Sequence, residues 1–579
     1  MPHRAHLFSL RIADAFRSTC LEKSYTKTLF TKDLMAGITV GIIAIPLAMA
    51  LAIASGVPPQ YGLYTAFIAG FIIALTGGSR FSISGPTAAF VVILYPIAQR
   101  YGLGGLLIAT VMSGFTLILL AYLRLGRFIE YIPEPVTLGF TGGIAIVIAT
   151  LQVKDFFGLS IEQMPEHYTE KLAFLIHALP EFHWPSLLIA AVTLFVMLIW
   201  RKLGSAIPPH LPAVITGSLL AILFNYYGLD VDTIGSRFSY LLEDGSTGTG
   251  IPPYLPEFQW PWLQANAEGD AIGLSWTLIQ DLLPAAFAIA MLGAIESLLC
   301  AVVLDGMTNT RHSANSELMG QGIGNIITPF FGGITATAAL ARSAANFKSG
   351  AHSPVAAMIH AVVVLLGLVV LAPILAYMPM PAMAALLLMV AWNMSEAPKA
   401  VHLVKTAPQG DLWVFFTCLS LTVLFDMVIA ITAGILLAAL LFMKEIAEMT
   451  KVSDISLNKR LVNIDLPEGW QVYKINGPLF FAAAERIFSE LAELSKDAKG
   501  IVLYMDGVPI LDAGGLAAMQ QLIKRCKHHN TQLWFADFQF QPLKTLARAK
   551  MQPIDNLTQY YPTLAVALDA LSEHRTDQS

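Results

Sequence analysis

Two stretches, GGSRFSISGPTAAFVVIL at residues 77–94 and FFGGITATAALARSAANFKSG at 330–350, decide how this chain is read. Both lie among long apolar runs. Yet each is too short and too rich in Gly, Ala, Ser and Thr to cross a bilayer, which takes about 20 apolar residues. Each opens with a run fit for a brief extended strand, FSIS (81–84) and GITATA (333–338), and continues as a short helix. Non-helical backbone is tolerated at membrane depth only where protein or a water-filled cavity satisfies it. Half-length helices are therefore expected at 84–98 and 335–347. Pro86 stands where a proline starts a helix without losing a needed donor. If both half-helices begin near the midplane, their free N–H groups and positive dipole ends face one another as an anion site.

Working outward, full spans are expected near 34–54, 61–77, 103–123, 132–151, 185–200 and 211–227. A second set follows near 278–304, 317–331, 354–377, 380–396, 411–428 and 429–447. With the two half-helices the count is fourteen, seven on each side of a loop at 228–275. The halves echo each other. Pro46 stands ten residues before Gly56 in IPLAMALAIASG, and Glu296 ten before Gly306 in IESLLCAVVLDG. The short polar segment comes third in each half. Seven helices per half means that the halves enter the membrane from opposite sides, an inverted repeat. Paired interrupted segments in corresponding positions are its pointer to a binding site.

Composition agrees. The 579 residues are 55% hydrophobic and 13% charged, with a mean hydropathy of +0.63, whereas soluble domains carry about 25% charge. Charge is also uneven: 28 of the last 130 residues are charged, against 47 of the first 449. A wholly soluble enzyme and a disordered protein are excluded, and so is a nucleic-acid binder, since the pI is near 6.2 and no basic block exists. Cys20, Cys300, Cys418 and Cys526 fit neither a disulfide frame nor a metal spacing. The leader 1–32 lacks the long apolar core of a signal peptide.

Bases set the orientation. Arg4, Arg11, Arg17, Lys23, Lys27 and Lys32 lie in the leader. Arg124/Arg127, Arg201/Lys202, Arg311, Lys399/Lys405 and Lys444 recur on the side that alternation shares with it. The loop 228–275 holds one base, Arg237, against seven acids, as suits an external loop under the positive-inside rule. Both termini are then cytoplasmic. Trp260, Trp262 and Trp276 fit an interfacial belt.

Charge inside the apolar part needs a reason. An arginine at bilayer depth costs at least about 2.5–3.5 kcal/mol on insertion scales, so Arg342 should face a cavity or a partner. Ser84, Thr87 and Ser343 are candidate donors to a carboxylate or sulfate, or else helix caps and packing groups. Glu296, midway through an apolar helix, reads as a proton carrier, since low-dielectric surroundings favour a neutral carboxyl. A Na⁺ ligand and a structural partner for Arg342 are the competing roles. Asp305, Asp426 and Lys154 read as interfacial, His360 as a packing histidine, and Glu134 as a helix-start acid suited to the dipole.

Residues 448–459 read as a linker. Beyond them VYKIN (472–476), IVLYM (501–505) and QLWFAD (532–537) alternate with the helical stretches AAAERIFSELAELSK (482–496) and GLAAMQQLIKRCKHH (515–529), a small α/β domain over 460–573. In PILDAGGL, Asp512, Gly514 and Gly515 fall at a strand-to-helix turn where the glycines permit a tight bend.

Residues 33–447 resemble the membrane domain of the SulP anion transporters, the sulfate-permease type. The stretches that carry the likeness are AGITVGIIAIPLAMALAIASGVPPQYGLYTA (36–66), GGSRFSISGPTAAFVV (77–92), GAIESLLCAVVLDGMTNTRHSANSELMGQGIGNI (293–326) and residues 330–350. The tail resembles a STAS domain, and the wording is similar to a bacterial C4-dicarboxylate branch of the family. The resemblance implies repeats at 33–227 and 276–447, with a core bundle of spans 1–4 and 8–11 and a gate bundle of 5–7 and 12–14. It implies an anion between Ser84, Gly85, Pro86, Thr87 and Ala88 on one side and Ala341, Arg342 and Ser343 on the other, with cation coupling at Glu296. Leu47 stands where some relatives carry a polar residue. In the STAS loop Asp512, Ala513 and Gly514 offer no serine for the phosphorylation that regulatory relatives use. A homodimer is implied by the same likeness.

The expected function is import of C4-dicarboxylates such as succinate, fumarate or aspartate, with protons, across a bacterial inner membrane. Sulfate transport, Na⁺-coupled bicarbonate transport, an anion channel, and a scaffold recruiting a cytosolic partner through the tail are the alternatives. No enzyme, cofactor or metal is expected, the coupling ion being H⁺ or, second, Na⁺.

Overall fold

The computed structural model describes residues 11–22, 25–126, 132–161, 164–165, 167–204, 207–241, 246–425, 427–494 and 498–576. The expectations on Arg4, Lys23, Arg127 and Asp426 lie outside these. Two compact units result, Met1–Ile435 and Leu436–Ser579.

In the first unit, α1 spans Lys27–Ala54 and α2 Pro59–Thr76; α3, Ala88–Tyr122, is broken at Gly102. The run continues with α4 (Glu134–Phe157), α5 (Trp184–Lys202) and α6 (His210–Tyr226). After the loop come α7 (Trp276–Thr308), α8 (Ala314–Ile327), α9 (Leu340–Lys348), α10 (Val355–Leu375) and α11 (Met380–Met394). A short surface helix, α12 (Ala397–Thr406), precedes α13 (Gln409–Leu424) and α14 (Met427–Met449), of which the residues from Leu436 onward are counted in the second unit. With α3 counted as two segments and α12 left out, fourteen membrane segments are described, seven on each side of the loop. Nine described helices are long and apolar enough to cross a membrane.

Local chemistry sets the ends and breaks. Thr26 caps α1 by accepting from Leu29 N–H, so the helix starts seven residues before the expected 34 and takes in the end of the expected leader. Gly102 has φ +67° and ψ −168°, a conformation that side chains strain against. It ends the half-helix at 101 and lets the next span restart. The second half-helix starts at Leu340, five residues after the expected 335, because the preceding residues are extended.

The helices sort into two bundles. α1, α2, α3, α7, α8 and α10 pack on one another, and α4 packs on α11 and α13 while α5 packs on α6 and α11. These are the core and gate groupings. Small residues permit the contacts, as in membrane interfaces generally. A Cβ on Gly37 would stand 2.6 Å from the Ala356 carbonyl oxygen of α10, and one on Gly139 would stand 2.7 Å from Cys418 Cβ of α13.

The long loop is folded. A hairpin, Ser239–Leu241 with Thr247–Thr249, follows residues tied to the start of α11, where Ile234 N–H donates to Met378 O at 2.9 Å. Arg237 bonds Asp155 of α4 at 2.6 Å. Trp276 is largely exposed, as an interfacial residue would be. Trp260 is exposed as well; it stacks on Trp262 at 4.8 Å and stands edge-on to Phe330, where the loop folds back over the end of α8.

In the second unit, β3 (Lys451–Asp454), β4 (Trp470–Asn476), β5 (Gly500–Gly507), β6 (Gln532–Ala536) and β7 (Thr558–Tyr561) form one sheet in that order. β3 pairs antiparallel and the others are parallel. Side chains alternate across a strand, so Leu503 joins Ile475, Ile487 and Met519 on one face while Val502 joins Val472, Trp534 and Leu568 on the other. Residues 448–459 are thus no plain linker. KVSD pairs with the free edge of β4, where Val452 packs on the core. Asp512 caps α15, Ala513–His528, accepting from Gly515 N–H at 2.7 Å. Gly514 and Gly515 both have ordinary negative φ. Their missing side chains admit the neighbouring chain: a Cβ on Gly514 would stand 2.7 Å from Phe481 Cα.

Candidate anion-binding site

The two broken helices meet through a pair of two-residue strands. β1, Ser84–Gly85, runs antiparallel to β2, Thr337–Ala338, with Ser84 opposite Ala338 and Gly85 opposite Thr337. This is narrower than the expected runs, since only the residues nearest the helix starts pair. α3 opens after Thr87 and α9 after Ala339, and neither start has a side-chain cap. Both helix ends keep free N–H groups and the positive ends of their dipoles.

Buried side chains satisfy the remaining extended backbone, as the membrane interior requires. Asn325 of α8 donates to Ala336 O at 3.0 Å and accepts from Ala336 N–H at 2.9 Å. Thr65 accepts from Ile334 N–H at 2.7 Å, and Asn346 donates to Phe81 O at 3.0 Å. Thr337 donates to Gly293 O at 3.1 Å and bonds Ser297 at 2.6 Å, tying β2 to α7.

Arg342 lies in the first turn of α9, 3% exposed. Its Nη2 donates to Pro86 O at 2.6 Å. Nε and Nη1 have no protein acceptor. A Cβ on Gly85 would come within 3.0 Å of Nη1, so glycine there makes room for the guanidinium. Arg342 forms no ion pair with Glu296; that carboxylate accepts instead from Thr87 Oγ1 at 3.0 Å. The two groups make no direct contact, although each charge acts on the other, and the buried cation retains surplus donors.

The three hydroxyls separate. Thr87 gives its proton to Glu296. Ser343 donates to Ala339 O at 2.8 Å and accepts from Ile83 N–H at 2.8 Å, so its hydroxyl is spent on backbone and is not free to donate to an anion. Ser84 accepts from Gln321 Nε2 at 3.1 Å. Ala88 is buried beside them and Ala341 is exposed.

Of the lower-ranked candidates, Asp305 accepts from both the backbone and Nδ1 of His312, at 3.0 and 2.8 Å. His360 is fully buried, with no side chain bonded to its ring. Glu134 stands in the first turn of α4 and Lys154 in its last. Sequence reading passed over Glu317, Gln321 and Asn325. A signal existed: they recur every fourth residue along one face of the helix, and polar groups at membrane depth are expensive.

Residues 30–418 match the profile of the sulfate permease family, and 462–567 that of the STAS domain. The chain is 39% identical over 525 residues to a putative sulfate transporter of Bacillus subtilis, YvdB, covering 90% of this chain and 94% of that one. It is 26% identical over 543 residues to the bicarbonate transporter BicA of Picosynechococcus, covering 90% of each. The fold is that of the murine solute carrier 26 family member A9 anion transporter in its inward-facing state. The TM-score is 0.80 at 17% identity, covering 98% of this chain and 95% of that one.

Proposed function

The chain belongs to the sulfate permease family of anion transporters, and we propose that it imports C4-dicarboxylates such as succinate, fumarate or aspartate together with protons. The observation that carries the anion site is the buried Arg342 guanidinium with Nε and Nη1 unpartnered, beside two uncapped helix starts. A carboxylate oxygen supplies the acceptors these donors lack. In this reading Gly85, Pro86 and Ala88 shape one wall and Ala341 the other, with Ser84 donating. Thr87 links the wall to Glu296, the proposed proton carrier, and Ser343 holds the backbone in place.

The membrane potential explains the coupling. Each charge costs about 2.3 kcal/mol per 100 mV, so a dianion entering a negative interior alone climbs about 4.6 kcal/mol at that potential. One accompanying proton removes half of this. Alternating access would carry the site across by moving the core bundle against the gate. The distribution of bases supports cytoplasmic termini in a bacterial inner membrane, and the family likeness supports a homodimer whose tail can recruit a cytosolic partner.

The test is uptake of labelled succinate, sulfate and bicarbonate into proteoliposomes, each with and without pH and Na⁺ gradients. Saturable succinate uptake raised by an inward proton gradient is expected. Uptake of sulfate or bicarbonate without succinate, the substrates in the relatives' names, would overturn the substrate. Non-saturating flux would instead indicate a channel.

A further inference from the structure

We propose that Gln321 of α8 is a positioning residue for the anion: it holds the Ser84 hydroxyl so that its proton points at the substrate. The inference rests on the anion-site reading above and adds a donor and its support. Of the three hydroxyls that the sequence offers as anion donors, Thr87 and Ser343 have given their protons to Glu296 and to Ala339 O, and Thr337 of β2 has given its own to Gly293 O. Only Ser84 keeps a proton without a protein acceptor, because it takes part in its bond with Gln321 as the acceptor.

The direction of that bond is fixed from behind. Glu317, one turn earlier on α8, accepts the Gly78 and Ser79 N–H groups on Oε2 at 3.0 and 2.9 Å. Its Oε1 lies 3.4 Å from Gln321 Nε2. Two backbone N–H bonds on Oε2 favour the ionised carboxylate, which accepts and does not donate, so the Gln321 amide presents its NH₂ toward Glu317 and Ser84. Ser84 then has one lone pair occupied and its O–H left over. All three side chains are at most 2% exposed, so water does not compete for these positions.

One further feature argues against simple packing. Gln321 Oε1 is buried without a hydrogen-bond partner, a cost that a leucine or methionine of similar size would avoid. Its NH₂ is what the position uses. A backbone-anchored chain therefore runs from residues 78–79 through Glu317 and Gln321 to Ser84, and ends at the strand that pairs the two half-helices.

The experiment is a double-mutant cycle on the full-length protein in proteoliposomes, measuring KM and kcat for succinate and sulfate in wild type, Ser84→Ala, Gln321→Met and the double variant. If Gln321 acts through Ser84, Gln321→Met raises KM about tenfold with kcat within about twofold. The double variant is then no worse than Ser84→Ala alone. Effects that multiply in the double variant, or an unchanged KM in Gln321→Met, overturn the proposal. Gln321→Asn, which keeps an amide but falls short of Ser84, gives the same KM rise and replaces Gln321→Met if that variant does not fold. A wild type that takes up no anion defeats the transport reading itself, a result distinct from a multiplicative cycle in an active protein.

Discussion

Replacing Glu296 by glutamine should uncouple accumulation from the proton gradient while leaving the fold in place. Among the described residues the carboxylate takes its hydrogen bond from Thr87 Oγ1 at 3.0 Å, and an amide oxygen accepts that bond in the same volume. A bond to a charged acceptor is worth about 1.5–3 kcal/mol and a neutral one about 0.5–1.5, so the variant loses about 1 kcal/mol of stability. What it cannot do is pick up and release a proton. With the membrane potential clamped at zero and a gradient of one pH unit, each coupled proton contributes about 1.4 kcal/mol, a tenfold accumulation of substrate. Wild-type vesicles should therefore concentrate succinate about tenfold per coupled proton, and Glu296→Gln vesicles should only equilibrate it. The assay is labelled succinate at plateau, inside against outside, with the thermal unfolding midpoint as the folding control. Tenfold accumulation by a folded Glu296→Gln protein would remove this residue from coupling.

Arg342→Ala removes the surplus donors and leaves Pro86 O unpaired; kcat/KM should fall about 100-fold, and an initial uptake rate within threefold of wild type would refute the anion-anchor role. Gly85→Ala places a methyl about 3.0 Å from Arg342 Nη1 and should raise KM about tenfold by displacing the guanidinium; equilibrium binding of succinate or sulfate measures it. Asp512→Ala removes the α15 cap and should destabilise the second unit by about 1 kcal/mol. Faster amide exchange in residues 513–528 of the full-length protein would register this, and unchanged exchange would refute it.

Much of this is legible in the sequence, because the membrane makes exceptions visible. Two polar interruptions, one arginine and one glutamate stood out against an apolar background, and all four converge on one place. Other features depend on partners distant in sequence. Ser343 looked like a ligand donor, and only the neighbouring Ile83 N–H and Ala339 O show that the backbone uses it. KVSD has the look of a connector until the edge of β4 is there to pair with it. Gly514 and Gly515 suggested a bend, whereas their purpose is the approach of residues 479–481. The Glu317–Gln321–Asn325 stripe is present in the sequence, but its meaning comes from the backbone at 78–79, the Ser84 hydroxyl and Ala336 just before β2, which it meets.

The strand pair also has a consequence for how the protein is made. Pro86 and Arg342 are 256 positions apart, and at roughly 5–20 residues per second a ribosome takes about 13–50 s to travel between them. For that interval the first repeat sits in the bilayer with Ser84 and Gly85 lacking their β2 partners and Pro86 O lacking its donor. Biogenesis thus includes a waiting state, in which the insertion machinery or a provisional water-filled cavity must shelter polar backbone until the second repeat arrives.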